Sequence, residues 1–144
     1  MVSLLMRRFS VDVPREKAWE HLANVEQWPT WARHIRRIEL QPAGPLRDNS
    51  RGVIRLTNGI RSTFRMTEFQ PGRNWKWSGS FLWITIHYDH RFRRIDESRT
   101  EIEFHVEGEG VGVAIFGRMF AAVYALNLDR AIPKLISEIE GSAT

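Results

Sequence analysis

Between residues 52 and 109 the chain reads as strand, turn, strand almost without a break, and then it changes period and stays helical to Glu140. Apolar alternation places strands at about 52–57, 61–69, 74–80, 83–95 and 99–109. The separators are Asn58-Gly59, Pro71-Gly72, Gly79-Ser80 and Asp96-Glu97-Ser98, and Asn-Gly between alternating runs is a strong hairpin signal. Strands joined by such tight turns run antiparallel. After Gly108, Gly110 and Gly112 the closing segment repeats apolar residues at helical spacing, with Gly141 as its expected C′ residue and Pro133 as an expected kink that frees the Asp129 carbonyl.

The first fifty residues complete this plan. Phe9, Val11 and Val13 alternate with Arg8, Ser10 and Asp12, which predicts a half-buried strand over Leu5–Val13. Pro14 suits a first helical turn and Glu16 complements its dipole; Ala18, Trp19, Leu22 and Val25 then make a helical stripe. Trp28 to His34 reads as a second short helix begun by Pro29, Ile35–Leu40 as a strand, and Gln41–Arg51 as a turn-rich loop. The order is one strand, two short helices, six strands and one long helix. Seven antiparallel strands closed by one helix require a curved sheet wrapped around it, an α+β layout that leaves space between sheet and helix unless large side chains fill it.

A chain of 144 residues sets an expectation of a single domain over residues 1–144, long enough to bury a core unaided. Cysteine is absent, which excludes disulfides, zinc–thiolate sites and thiol nucleophiles. The N-terminus reaches Arg7-Arg8 too soon for a signal sequence, and Gly112, Gly117, Arg118 and Asn127 interrupt the apolar stretch Val111–Leu128. That stretch is therefore read as buried in protein rather than spanning a membrane, with a cytoplasmic location by default. Two biases stand out, six Trp in a small chain and 18 Arg against 3 Lys, the latter lifting the pI to about 10.1 at a net charge of +4.

The pair of strands 83–95 and 99–109 carries the most information about what faces inward. If Asp96-Glu97-Ser98 sets the register, Phe92 pairs with Ile102, His90 with Phe104 and Tyr88 with Val106 on an apolar face. The other face pairs Arg93 with Glu101, Arg91 with Glu103, Asp89 with His105 and His87 with Glu107, which is charge-complementary. Arg91, Arg93 and Arg94 are thus largely matched and make a poor phosphate groove. His90 and Tyr88 are the polar groups of the inward face, and each needs either a protein partner or a cavity with water or ligand. In strand 61–69 two registers remain: Phe64 and Met66 inward as an apolar wall, which alternation favours, or Arg65 inward with Thr63 and Thr67 as a carbonyl or anion site. Trp75 and Trp77 share one face, Trp28 and Trp31 are candidates for a lid, and Phe116, Met119, Phe120, Val123, Tyr124 and Asn127 share a stripe on the long helix. The candidate ligand-lining set is Trp31, Trp77, Tyr88, His90, Phe104, Met119, Phe120 and Tyr124.

Signatures of catalysis are sparse. His87 and His90 are three apart in a strand and point to opposite faces, so they make no metal clip, and no metal site or cofactor is expected. Gly108-Glu109-Gly110-Val111-Gly112 lacks the strand–helix setting of a dinucleotide fingerprint and reads as a joint. Arg33, Arg36 and Arg37 read as a solvated face, so nucleic-acid binding is not expected.

Four segments, Val13 to Trp19, Trp28-Pro29-Thr30-Trp31, Met66 to Gly72 and Ile132 to Glu140, resemble the START-like, helix-grip superfamily on its polyketide cyclase/dehydrase-like branch. The resemblance runs over about residues 4–141. It implies a deep hydrophobic cavity between sheet and long helix for lipids, sterols, polyketides or other apolar aromatic molecules. It does not imply a reaction, because the superfamily includes carriers, cyclases, sensors and chaperone partners. Aromatic cyclases of similar fold carry an Arg and hydroxyls in their pockets; Arg65, Thr67, His34 and Tyr88 are the comparable groups here. The leading expectation is a binding module for a mostly apolar small molecule, acting as a monomer or weak homodimer. The alternatives are a cyclase or dehydratase, with His90 as acid/base and Tyr88 or Arg65 polarising a carbonyl, and a partner or oligomer module using the Val111–Leu128 helix.

Overall fold

The computed structural model describes residues 1–81 and 83–142. Its elements are β1 (Val2–Val11), α1 (Arg15–Ala23), a 3₁₀ turn (Val25–Thr30), β2 (Ile35–Gln41), β3 (Arg51–Leu56), β4 (Arg61–Gln70), β5 (Asn74–Phe81), β6 (Ile84–Asp96), β7 (Arg99–Glu109) and α2 (Gly112–Ser142). The seven strands form one antiparallel sheet in the order β1-β7-β6-β5-β4-β3-β2. Strands β2 to β7 are neighbours in sequence and in space, and α1 with the 3₁₀ turn carries the chain from one sheet edge to the other.

The β6–β7 register is the one that charge complementarity demands: Phe92 faces Ile102, His90 faces Phe104, Tyr88 faces Val106 and Arg93 faces Glu101. The ion pairs depart from it in three places. His87 reaches Glu109 at 2.7 Å rather than Glu107, His105 turns to Ser3 and Glu107 rather than Asp89, and Arg91 also changes partner. Arg93 reaches Glu101 at 3.1 Å, but Arg91 turns along its own strand to Asp89 at 2.6 Å, and Glu103 takes Arg8 of β1 at 3.0 Å instead. Asp89 is buried, and a second bond from Asn74 at 2.9 Å supplies the pairing that a buried carboxylate needs.

Strand β4 turns Phe64 inward, where its ring lies 4.5 Å from Trp77, and leaves Thr63, Arg65 and Thr67 exposed on the outer face. The apolar-wall register is therefore the observed one, and Arg65 is excluded from the interior. Two glycines allow the sheet to coil here. A Cβ on Gly52 would sit 2.1 Å from the Glu39 carbonyl oxygen, and one on Gly79 2.5 Å from that of Thr63, so no other residue fits either close approach.

Several boundaries differ from the sequence expectation. β1 starts at Val2 because a bulge between Ser3 and Leu5 lets both Leu4 and Leu5 pack on the core, a device that alternation conceals. The second short helix is a 3₁₀ turn that closes before Trp31, with the Trp31 amide donating to the Trp28 carbonyl at 3.1 Å. Trp83 lies in the turn before β6 rather than in the strand, at φ 62°, exposed and stacked on Phe116. α2 runs on through Gly141 to Ser142 instead of stopping at a glycine cap, its last turn held by the buried Ile139.

The two halves of α2 pack differently. Leu128, Ala131, Leu135 and Ile139 are buried against the sheet at helical spacing. Polar contacts pin the same half: Asp129 takes Arg7 of β1 at 2.7 Å, Glu138 meets His21 and Thr30, and Glu140 accepts from the Asp12 amide. The first half touches the sheet through the half-buried Val113, Phe116, Phe120 and Tyr124, while Ile115, Met119, Val123 and Leu126 face outward. Although its length and hydropathy would suit a membrane span, α2 is a core helix: it buries its second half and lays its first half loosely over the sheet.

Candidate functional site

The inward face of the sheet is crowded with rings. The Trp75 indole lies 4.7 Å from the His90 ring at an interplanar angle of 22°, and Trp77, Phe104 and Trp28 surround the same imidazole at 4.9, 5.5 and 5.7 Å. These side chains nearly fill the space. Among the described residues they leave a cavity of about 30 Å³ lined by Trp28, Trp31, Ala32, His34, Ile35, His90, Phe104, Tyr124 and Leu128. That is room for one water, not the deep cavity that the resemblance implies, because six-membered and indole rings occupy the inner rows of β4, β5 and β6.

Three polar side chains meet at this cavity. His90 places Nδ1 3.3 Å from the Trp75 carbonyl oxygen. Burial pushes its imidazole down to about 4, more than the Trp75 carbonyl and Asp89 raise it, so the ring is neutral near pH 7. A carbonyl only accepts, so Nδ1 carries the proton and Nε2 is left with a lone pair. Burial also lowers the His34 imidazole and raises the Tyr124 phenol, so Tyr124 keeps its proton as a hydrogen-bond donor. The site thus offers the His90 Nε2 lone pair and the Tyr124 hydroxyl, beside the neutral His34 imidazole, within an aromatic wall. Trp28 is fixed in that wall by its Nε1–H donating to the Leu22 carbonyl at 2.8 Å. Trp75 Nε1 is buried without a hydrogen-bond partner among the described residues.

Of the eight residues expected to line a ligand space, Trp31, His90, Phe104 and Tyr124 meet at this cavity. Tyr88 stands one layer away with its ring 5.7 Å from Tyr124, and burial raises its phenol as well. Phe120 stacks on Tyr124 at 5.6 Å, and Trp77 lies beneath Trp28 at 5.4 Å, in the core rather than on the wall. Met119 is half exposed on the outer side of α2, because one residue of helix rotates a side chain about 100° away from Phe120. Trp28, Ala32, His34, Ile35 and Leu128 line the cavity without having been in that set. The aromatic pattern Trp28-Pro29-Thr30-Trp31 was the signal for the first of these; His34 and Ile35 depend on where the 3₁₀ turn delivers β2, which no local pattern reveals.

A curved seven-stranded antiparallel sheet gripping one long C-terminal helix places the protein among the helix-grip folds. Within that class the chain belongs to the polyketide cyclase/dehydrase and lipid transport family, which its sequence matches over residues 5–140. Solved structures of similar fold include the protein XoxI of Bacillus cereus, 12% identical with a TM-score of 0.75 over 96% of each chain. The Zhui aromatase/cyclase of Streptomyces sp. R1128 is 16% identical with a TM-score of 0.75, covering 97% of this chain and 94% of its own. The di-domain ARO/CYC StfQ of the steffimycin biosynthetic pathway is 11% identical at a TM-score of 0.73, covering 99% of this chain and 52% of its own. No curated protein matches in sequence.

Proposed function

We propose that the protein is a cytoplasmic binder of a small, mostly apolar molecule that carries a hydroxyl or carbonyl group. The ligand enters between the sheet and the first half of α2. The observation that carries this reading is the convergence of His90 and Tyr124 on an aromatic-lined cavity directly beneath the loosely packed half of a helix whose other half is anchored. Displacing residues 113–127 of α2 outward enlarges the cavity, and what the segment gives up is the half-buried contact of Val113, Phe116, Phe120 and Tyr124, since Ile115, Met119 and Val123 already face solvent. A ligand hydroxyl then donates to His90 Nε2, and a ligand carbonyl accepts from Tyr124. The protein acts as a monomer or weak homodimer, and nucleic acid is not a partner.

Thermal unfolding with 2-naphthol, naphthalene and palmitate tests the reading. At 100 times its dissociation constant a ligand adds about 2.7 kcal/mol, a rise of roughly 5–10 °C for a domain of this size. The hydroxylated ring is expected to outperform naphthalene, and His90→Phe to erase that preference. The absence of any shift with all three compounds would reject binding in this space.

The family's cyclases and the two aromatase/cyclase neighbours support a second reading, in which the same groups act on a polyketide-like ligand. His90 Nε2 then takes a proton from the ligand while Tyr124 or Tyr88 polarises a carbonyl. Arg65 takes no part, since it lies on the other side of the sheet. Turnover of a bound polyketone that survives both His90→Phe and Tyr124→Phe rules out those roles.

A further inference from the structure

A hollow larger than the interior cavity lies on the opposite face of the sheet. It is an open trough of about 470 Å³ crossing β2 to β6, and the coiling allowed by Gly52 and Gly79 shapes its floor. Its lining on this face carries short hydroxylated side chains, Thr63, Ser78, Ser80 and Thr85, with Val53, Glu39 and Gln41, beside two arginines, Arg51 and Arg65.

The arginines are direct cross-strand partners on β3 and β4, and Arg65 in turn faces Ser78 on β5. The Met66 amide donates to the Ser50 carbonyl at 2.9 Å, which marks Arg51–Arg65 as a non-hydrogen-bonded pair, the kind whose side chains stand closest. Like charges placed opposite one another destabilise a sheet, so strand pairing gains nothing from this choice. Neither guanidinium has an ion-pair or hydrogen-bond partner among the described residues. The nearest acid on the trough wall, Glu39, is already held by Arg37 and by Arg55 at 2.9 Å. The surplus is therefore cationic, paired and unopposed, with hydroxyl donors alongside.

We propose that this trough binds a phosphomonoester dianion between Arg51 and Arg65, with Ser78 and Thr63 donating to its remaining oxygens. Guanidinium forks match phosphate oxygens two at a time, and the volume left over suits an organic body of metabolite size. Neutralising both charges converts a repulsive cross-strand pair into a bridged one. The site is independent of the interior, from which the sheet itself separates it.

The test is a phenyl phosphate titration followed by backbone amide shifts at constant ionic strength, with sodium chloride as control. Saturable shifts are expected at residues 51–53, 63–65 and 78–80, with affinity falling about tenfold or more in Arg65→Gln and in Arg51→Gln. Free of ligand at low salt, both variants are expected to melt no lower than the parent, which separates a binding role from a structural one. Binding of phenyl phosphate without retention on phosphatidylcholine vesicles containing phosphatidic acid assigns a soluble ligand; binding together with retention that the variants lose assigns a lipid headgroup. The proposal is overturned by a lack of saturation, by an equal response to chloride (an adventitious ion only), by undiminished affinity in both variants, or by vesicle retention without phenyl phosphate binding.

Discussion

His90 is a histidine that folding keeps neutral. Its folded-state value of about 4 lies below the ordinary 6.5, with burial as the cause. Above the unfolded value both states hold the ring uncharged and its burial costs no proton. As pH falls from 6.5 towards 4 the unfolded chain takes up a proton that the folded chain refuses, so stability declines through that window. The loss amounts to about 3 kcal/mol once both states are protonated. His34, lowered by burial too, adds in the same direction. Urea unfolding of the parent and of His90→Phe at pH 7 and pH 4.5 isolates the first term, because His34 and the carboxylates are common to both. The variant is expected to lose much less stability on acidification, and parallel losses would show that His90 does not carry the dependence.

At the scale of elements, the division of α2 makes a quantitative contrast. Leu135 is 0% exposed and Val123 57% exposed on the same helix. Leu135→Ala leaves a cavity under the anchored half and is expected to cost roughly 2–5 kcal/mol in urea unfolding. Val123→Ala removes a solvent-facing methyl pair and is expected to stay within about 0.5 kcal/mol. Equal costs would mean that the first half packs as firmly as the second. The strands β6 and β7 show how much of an element is readable beforehand. Their register follows from the requirement that Arg93 meet Glu101 and that Phe92 meet Ile102, and a one-residue slip would break both faces at once. The bulge in β1 and the 3₁₀ turn were not readable, since each depends on packing against residues about a hundred positions away or on a single closing hydrogen bond.

For the whole molecule, the proposed ligand space links binding to local opening. Amides at 113–127 are expected to exchange faster than those of β6 and β7 in the free protein, by opening of the loosely packed half-helix. Saturating 2-naphthol is expected to narrow that difference, measured by hydrogen exchange. A thermal shift without narrowing would place the compound outside this space.

Nearest neighbours and repeating periods carry seven antiparallel strands, their turns, the inward row of Trp75, Trp77, Tyr88, His90 and Phe92, and one long helix to cover them. Hairpin turns and period-two alternation leave little freedom once the helix must share a single apolar face. How full the interior is emerges only on packing, because it depends on the volumes of rings arriving from β5, β6 and the 3₁₀ turn together. The tertiary arrangement also decides which half of α2 is anchored, and that Arg51 and Arg65 stand side by side on the outer face. The run of strands over residues 52 to 109 was legible as a ladder; the hollows on its two sides arise from coiling and packing, which no one-dimensional period encodes.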